Sequence, residues 1–240
     1  MSLMSDAVMV IFCDVSSDPA GHDDWHTHEH MHERLSIPGF LRGTRWTRAS
    51  GSPRYMIVYE VEGVEMASSP GYLERLNHPS DWTTATMARL RGMSRGFCHV
   101  AAAAGYGLGH AALSMRFSHL SPEAREWLAA EAVKMASRRG MASVNLFEPV
   151  PPPPMTKEQA LRGRDSEMTC VLLATAHDAG ALALACDQHL AAEPLARHGI
   201  SLIDCGAYQL GFTATAAEVA RTPPNRSLTA GEREADGPRA

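Results

Sequence analysis

Five of the chain's 12 histidines fall in one run, Gly21-His22-Asp23-Asp24-Trp25-His26-Thr27-His28-Glu29-His30-Met31-His32-Glu33-Arg34-Leu35. An imidazole exchanges a proton near neutral pH and, when uncharged, ligates transition metals. His28, Glu29 and His32 spell H-E-x-x-H, which on a helix would aim two rings at a zinc ion with Glu29 as base. That reading lacks a third ligand, because spacing marks out no downstream His or Glu. His22, His26 and His30, four residues apart, could serve another transition metal. His30 could instead act as a general base or acid, tuned by Glu33 and His26 one helical turn away. Against all of these stands a plain solvated helix face.

Other candidates are more scattered. Trp46, Tyr55, Tyr59 and Trp82 could line an aromatic pocket or simply fill a core. Arg42, Arg45 and Arg48 share a strand-like segment with Thr44, Trp46 and Thr47, so one set could hold a carboxylate or phenolate. Gly105-Tyr106-Gly107-Leu108-Gly109 has no helix after it and no acid about 20 residues on, so it reads as a linker rather than a nucleotide loop.

The elements that must position these residues come in a repeated order. Ala7 to Val15, Leu41 to Ala49, Arg54 to Val61 and Phe97 to Ala103 read as strands. The His-rich helix, stopped by Ile37-Pro38-Gly39-Phe40, lies between the first two. A helical stretch from about Pro70 to Leu90, broken near His78-Pro79, lies between the last two. The second half repeats this order. Ala112 to Leu120, Ala142 to Phe147, Thr169 to Thr175 and Ser201 to Phe212 read as strands. A helix opens at Ser121-Pro122-Glu123 and stops at Gly140, and another spans about Gly180 to Arg197. Each half is therefore β-α-β-β-α-β, the ferredoxin-like unit.

Val8, Val10 and Phe12 alternate with Met9, Ile11 and Cys13, so the first strand is apolar on both faces. Helices can cover only one face of such a sheet. Two sheets in one chain can cover each other by closing into a barrel. The fold class expected is α+β: tandem ferredoxin-like repeats over residues 5–108 and 109–215 forming an intrachain barrel of the dimeric type. The segment 216–240, with Thr222-Pro223-Pro224, is expected to be disordered, and Pro149 to Pro154 an extended loop. Met1-Ser2-Leu3 reads as an expression remnant outside the fold.

With a formal net charge of -5 and a pI near 6.2, the chain lacks the basic field that nucleic acid or an anionic membrane requires. No apolar run spans a bilayer and no secretory leader stands at the start, so a cytoplasmic location is expected. Five cysteines without C-x-x-C spacing read as buried thiols.

The run from Trp25 to His30, the stop at Ile37-Pro38-Gly39-Phe40, the following Arg42, Arg45 and Trp46, Pro53-Arg54-Tyr55 and Ser69-Pro70-Gly71-Tyr72 together resemble dimeric α+β barrel proteins, EthD-like members above all. The resemblance is clearest over about residues 7 to 100. It implies a barrel cavity for a small, often aromatic organic molecule, with chemistry that in some relatives needs no metal or flavin. Glu29 and His30 match the family's Glu-His pair and Trp25 its upstream aromatic, while His26, His28 and His32 are additions.

The function expected is binding of an apolar or aromatic metabolite, extended to cofactor-independent cyclase, isomerase or monooxygenase chemistry. Glu29 and His30 are the catalytic candidates, with Trp25, His26, Arg45, Trp46 and Tyr59 around the substrate and no metal or cofactor. The alternative is a non-catalytic ligand- or metal-binding module built on the same helix. The partners expected are a small organic molecule and, for the chain itself, a second copy.

Overall fold

The computed structural model describes residues 2–152, 155–163 and 165–222. The first half supplies β1 (Ala7–Val15), β2 (Phe40–Thr47), β3 (Tyr55–Val61) and β4 (Leu90–Gly105). The second supplies β5 (Ala111–Phe117), β6 (Met141–Pro149), β7 (Cys170–Ala176) and β8 (Leu202–Thr215). The first half orders its strands β4-β1-β3-β2 and the second β8-β5-β7-β6, all antiparallel. Pairing of β2 with β8 and of β4 with β6 joins the two sheets into one closed barrel. The tandem ferredoxin-like arrangement follows from strands that are apolar on both sides.

The alternation in β1 sorts its side chains cleanly. Val8, Val10 and Phe12 enter the barrel interior with Trp46, Met56, Val58, Phe147, Val171 and Leu173. Met9, Ile11 and Cys13 face outward into the core beneath the first-half helices. An eight-stranded barrel is about wide enough for its own side chains, and this interior is packed with them.

The helices sit outside. The first half carries α1 (Pro19–Trp25), a π-helical turn (His26–His30), α2 (Met31–Leu35), α3 (Pro70–Asn77) and α4 (Asp81–Met87). The second carries α5 (Pro122–Ala136), α6 (Lys157–Arg162), α7 (Ala179–His189) and α8 (Ala192–Arg197). The single helix expected from Gly180 to Arg197 breaks after His189. Pro194 accounts for this, since its ring would clash with the carbonyl four residues earlier if the helix continued. β4 begins at Leu90, seven residues before the expected strand start.

The chain termini depart from expectation. Leu3 is buried among the barrel-interior residues, and Ser2 Oγ donates to Asn145 Oδ1 at 2.7 Å. Glu60 accepts from Met4 N at 2.7 Å and pairs with Arg42, whose Nη2 donates to Ser2 O. The leading residues thus plug the barrel and are not a dispensable remnant. At the other end, Ala216–Val219 form α9, closed by a capping box between Thr215 and Glu218, where disorder was expected. The rest of the expected tail, residues 223–240, lies outside the described residues, as do Met1, Pro153 and Pro154 of the proline run.

Four cysteines are buried, while Cys205 is exposed on the outer face of β8. No helix among the described residues is long and apolar enough to cross a membrane. Deleting residues 1–3 removes a buried leucine, worth about 1.5–3 kcal/mol, and the hydrogen bonds of Ser2. The urea midpoint is expected to fall accordingly with an unchanged slope; an unchanged midpoint would mean that Leu3 contributes nothing to the core.

Candidate functional site

The helical rod after β1 starts with Asp18, whose carboxylate accepts from Gly21 N, and with Pro19 where a missing N–H is harmless. It then widens, as the Met31 N–H reaches back five residues to His26 O. In a regular α-helix, residues four apart drift by about 40° per step, so positions 22, 26, 30 and 34 would fan across about 120°. The wider π turn offsets that drift. It also brings residues five apart together: Trp25 and His30 pack with ring centroids 4.3 Å apart and planes tilted by 32°. His22, His26, His30 and Arg34 therefore all face the sheet, with exposures of 1%, 1%, 5% and 2%. Gly43 of β2 permits the close approach, since a Cβ there would lie 2.1 Å from Met31 Sδ.

Between rod and sheet lies a cavity bounded by those four residues, Trp25, the outward face of β1 (Met9, Ile11, Cys13), Ile57, Met87, Leu90, Met93, Arg95 and Glu158. Its volume of about 30 Å³ gives room for one or two waters. Three lining residues are methionines, whose unbranched thioethers re-pack readily around a guest. The space sits on the helix side of the sheet, not in the barrel interior.

The polar groups around it are largely uncharged or internally balanced. Tyr59 Oη and His26 Nε2 are 3.2 Å apart, both buried. Burial drives the His26 pKa well below its ordinary value, helped by the Arg45 charge, and drives the Tyr59 phenol upward. His26 Nδ1 has no hydrogen-bond partner among the described residues. His22 Nδ1 lies 3.4 Å from Asp23 Oδ1, yet burial outweighs that carboxylate and lowers its pKa too.

Arg34 is the charged member. Its Nη2 donates to Glu158 Oε2 at 2.7 Å, and its Nη1 has no hydrogen-bond partner among the described residues. Burial opposes the charge, but Glu158 more than offsets it and raises the guanidinium pKa. Glu158 comes from the second half. Thr156 and Gln159 form a capping box that starts α6, and Lys157 N donates to Asn77 Oδ1 at the end of α3. Further along, Ser166 N donates to Met93 O at 2.8 Å, so this connection lies over the first half and covers the cavity. Arg95 donates to Tyr72 Oη at 2.9 Å and sits 3.6 Å from Asp165.

Of the residues singled out from sequence, Trp25, His26 and His30 line the cavity and Tyr59 holds His26 from behind. Glu29 does not line it. Its Oε1 accepts from Ser80 Oγ, the N-cap of α4, and from Thr83 Oγ1, which in turn accepts from Trp25 Nε1. Arg45 is buried against the rod, donating to Asp23 O and Thr27 Oγ1, and Trp46 points into the barrel interior. His28 and His32 turn away from the sheet, His32 meeting Thr222 O at 3.2 Å. His28, two residues from both His26 and His30, falls on the other side of the rod from that inward stripe. Arg34, Arg95 and Glu158 were missed as site residues. The four-residue series 22-26-30-34 pointed to Arg34; nothing in the irregular connection marked Glu158.

No protein-family model and no curated protein sequence matches the chain. Solved structures do match in fold. An anthrone oxidase-like protein superposes with a TM-score of 0.59 at 10% identity, covering 91% of this chain and 97% of its own. A candidate monooxygenase from Lactobacillus acidophilus gives 0.54 at 10% identity, covering 88% and 97%. A candidate chlorite dismutase gives 0.51 at 13% identity, covering 90% and 97%. These likenesses place the fold among dimeric α+β barrels of ferredoxin-like units.

The H-E-x-x-H geometry is absent, since its two histidines and the cavity lie on different sides of the rod. Although His22, His26 and His30 are neighbours, with ring centroids 6.0 and 5.8 Å apart, no three His, Cys, Asp or Glu side chains among the described residues converge on a point where a metal ion could sit.

His22 and His26 titrate below about 6.5 in the folded chain and near that value when unfolded. The unfolded chain then binds more protons below that pH, so stability falls as pH drops through and below about 6.5. The slope reaches about 1.4 kcal/mol per pH unit for each such histidine. Urea unfolding of wild type and His26→Gln between pH 7.5 and 5 is expected to show a shallower loss in the variant; parallel curves would mean that His26 carries its proton when folded.

Proposed function

We propose that the protein binds a small, largely apolar organic molecule in the helix-side cavity and moves a proton on it without a resident cofactor. One observation carries the reading: two buried polar atoms without hydrogen-bond partners among the described residues, Arg34 Nη1 and His26 Nδ1, belong to residues lining one largely apolar cavity. Nothing in the fold requires polar groups there. The matching helix of the second half, α5, packs Ala124, Leu128, Ala132 and Met135 into the core, and its one buried charged residue, Glu131, is paired with Lys134 and His189.

In this reading an accepting oxygen of the ligand takes the Arg34 N–H, which stabilises negative charge as it develops on that oxygen. His30, packed against Trp25 at the cavity wall, takes the proton, with His26 and Tyr59 behind it. Glu29 serves by pinning α4 rather than by touching substrate. Proton abstraction next to a carbonyl is the step shared by isomerase, cyclase and cofactor-independent monooxygenase chemistry. The fold neighbours described as anthrone oxidase-like and as a monooxygenase support that range without choosing within it. An EthD-type assignment is narrower and rests on the Trp25 to His30 run and its Pro38-Gly39-Phe40 stop.

The test is exchange of the α-protons of 1-tetralone in D2O, followed by NMR against the buffer rate. Wild type is expected to accelerate exchange. His30→Ala is expected to keep binding the ketone and to lose about 10²–10⁴-fold of the acceleration, the usual scale of general-base catalysis. Binding by wild type with no acceleration for this or related ketones would favour the non-catalytic module instead.

A further inference from the structure

We infer that Tyr59 fixes the tautomer of His26, so that its Nδ1–H serves with Arg34 Nη1 as a second donor to the oxygen of a bound ketone. His26 then stabilises an oxyanion and is not a base, and Tyr59 is its positioning residue. The inference rests on the reading that the helix-side cavity takes a ketone and loses a proton from it to His30. Tyr59 Oη lies 3.2 Å from His26 Nε2, with the two residues at 0% and 1% exposure. A neutral imidazole carries one N–H, and the bond made at one nitrogen decides the role of the other.

Two arrangements are available. If Nε2–H donated to Tyr59, the phenol hydrogen would lack an acceptor and the bare Nδ1 a donor among the described residues. If Tyr59 donates to Nε2, only the Nδ1–H is left over. Unpaired buried polar groups are costly, so the second arrangement is favoured. Burial pushes the phenol pKa up and the imidazole pKa down, which keeps a proton on Tyr59 to give and a lone pair on Nε2 to receive it. Nε2 is thus committed to Tyr59, which stands outside the cavity lining, and Nδ1–H points to the other side of the ring. As His30 takes the α-proton, the C–H electron pair becomes the enolate double bond and the carbonyl π pair moves to oxygen. Two fixed donors meet that charge where one would leave a lone pair bare. Return of a proton from His30 to the carbon closes the cycle.

The test combines long-range proton–nitrogen NMR of the His26 ring at pH 7.5 with 1-tetralone exchange in D2O. His26 is assigned by its loss in His26→Gln. Wild type is expected to show a protonated Nδ1 and a bare Nε2, with the Nδ1 signal moving on saturation by 1-tetralone. Tyr59→Phe is expected to lose that tautomer preference. His26→Leu is expected to lower kcat for exchange about 10²–10³-fold, the scale of one oxyanion donor, and to change KM far less. Adding Tyr59→Phe to His26→Leu is expected to cost nothing more, because Tyr59 acts through His26. A proton on Nε2 in wild type, an Nδ1 signal unmoved by bound ketone, or a further loss in the double variant would overturn the inference and leave the cavity reading standing. Failure of 1-tetralone to bind or to exchange would overturn both.

Discussion

A guanidinium buried beneath a sheet must be balanced, and Arg34 is balanced by a carboxylate from the far half of the chain. Breaking such a pair by removing one partner typically costs about 3–5 kcal/mol, because the other charge is left uncompensated. That constraint fixes where α6 lies. It draws the second-half connection across α3 and α4 and brings Glu158 to the cavity, with Arg34 Nη1 left without a hydrogen-bond partner among the described residues. The barrel needs no such link, since eight strands already close it through β2-β8 and β4-β6. In the proposed reading the ion pair serves the site rather than the closure of the barrel.

Duplication makes the argument sharper, because one half acts as a reference for the other. Both halves lay a helix along an antiparallel sheet. In the second, α5 buries alanine, leucine and methionine, and its one buried acid, Glu131, is satisfied by Lys134 and His189. In the first, the same position holds three histidines and an arginine, and the rod carries a π turn that keeps them in line. Buried polar groups lower stability unless something recoups the cost. Tyr59 and Glu158 recoup part of it, and His26 Nδ1 and Arg34 Nη1, without hydrogen-bond partners among the described residues, are the atoms a ligand would satisfy in the proposed reading.

The element order was legible from residues such as Val8 to Cys13, whose two apolar faces demand a covered sheet, and from Ser121-Pro122, which starts a helix by cap and ring geometry. The location of the site in the His-rich rod was legible for the same reason: dense titratable side chains on an otherwise apolar scaffold. Its facing was not. A regular helix fans His22, His26, His30 and Arg34 across about 120°, while the π turn holds them in line, and no residue pattern announces that insertion. Alternation separates the two faces of β2 without saying which borders the cavity: Trp46 lies in the barrel interior, and Arg45 lies on the helix side, bound to Asp23 and Thr27 of the rod. Glu158 was invisible because it acts through a long connection whose placement depends on Arg34 itself.

The central claim is that the binding site lies on the helix side of the first sheet, between β1 and the π turn. A crystal structure with bound 1-tetralone tests it most directly. The account requires the ring system between Met9, Ile11, Trp25 and Met87, with its oxygen within hydrogen-bond distance of Arg34 Nη1 and methionine side chains displaced to make room. A ligand found in the barrel interior beside Val10, Trp46 and Phe147 would contradict it.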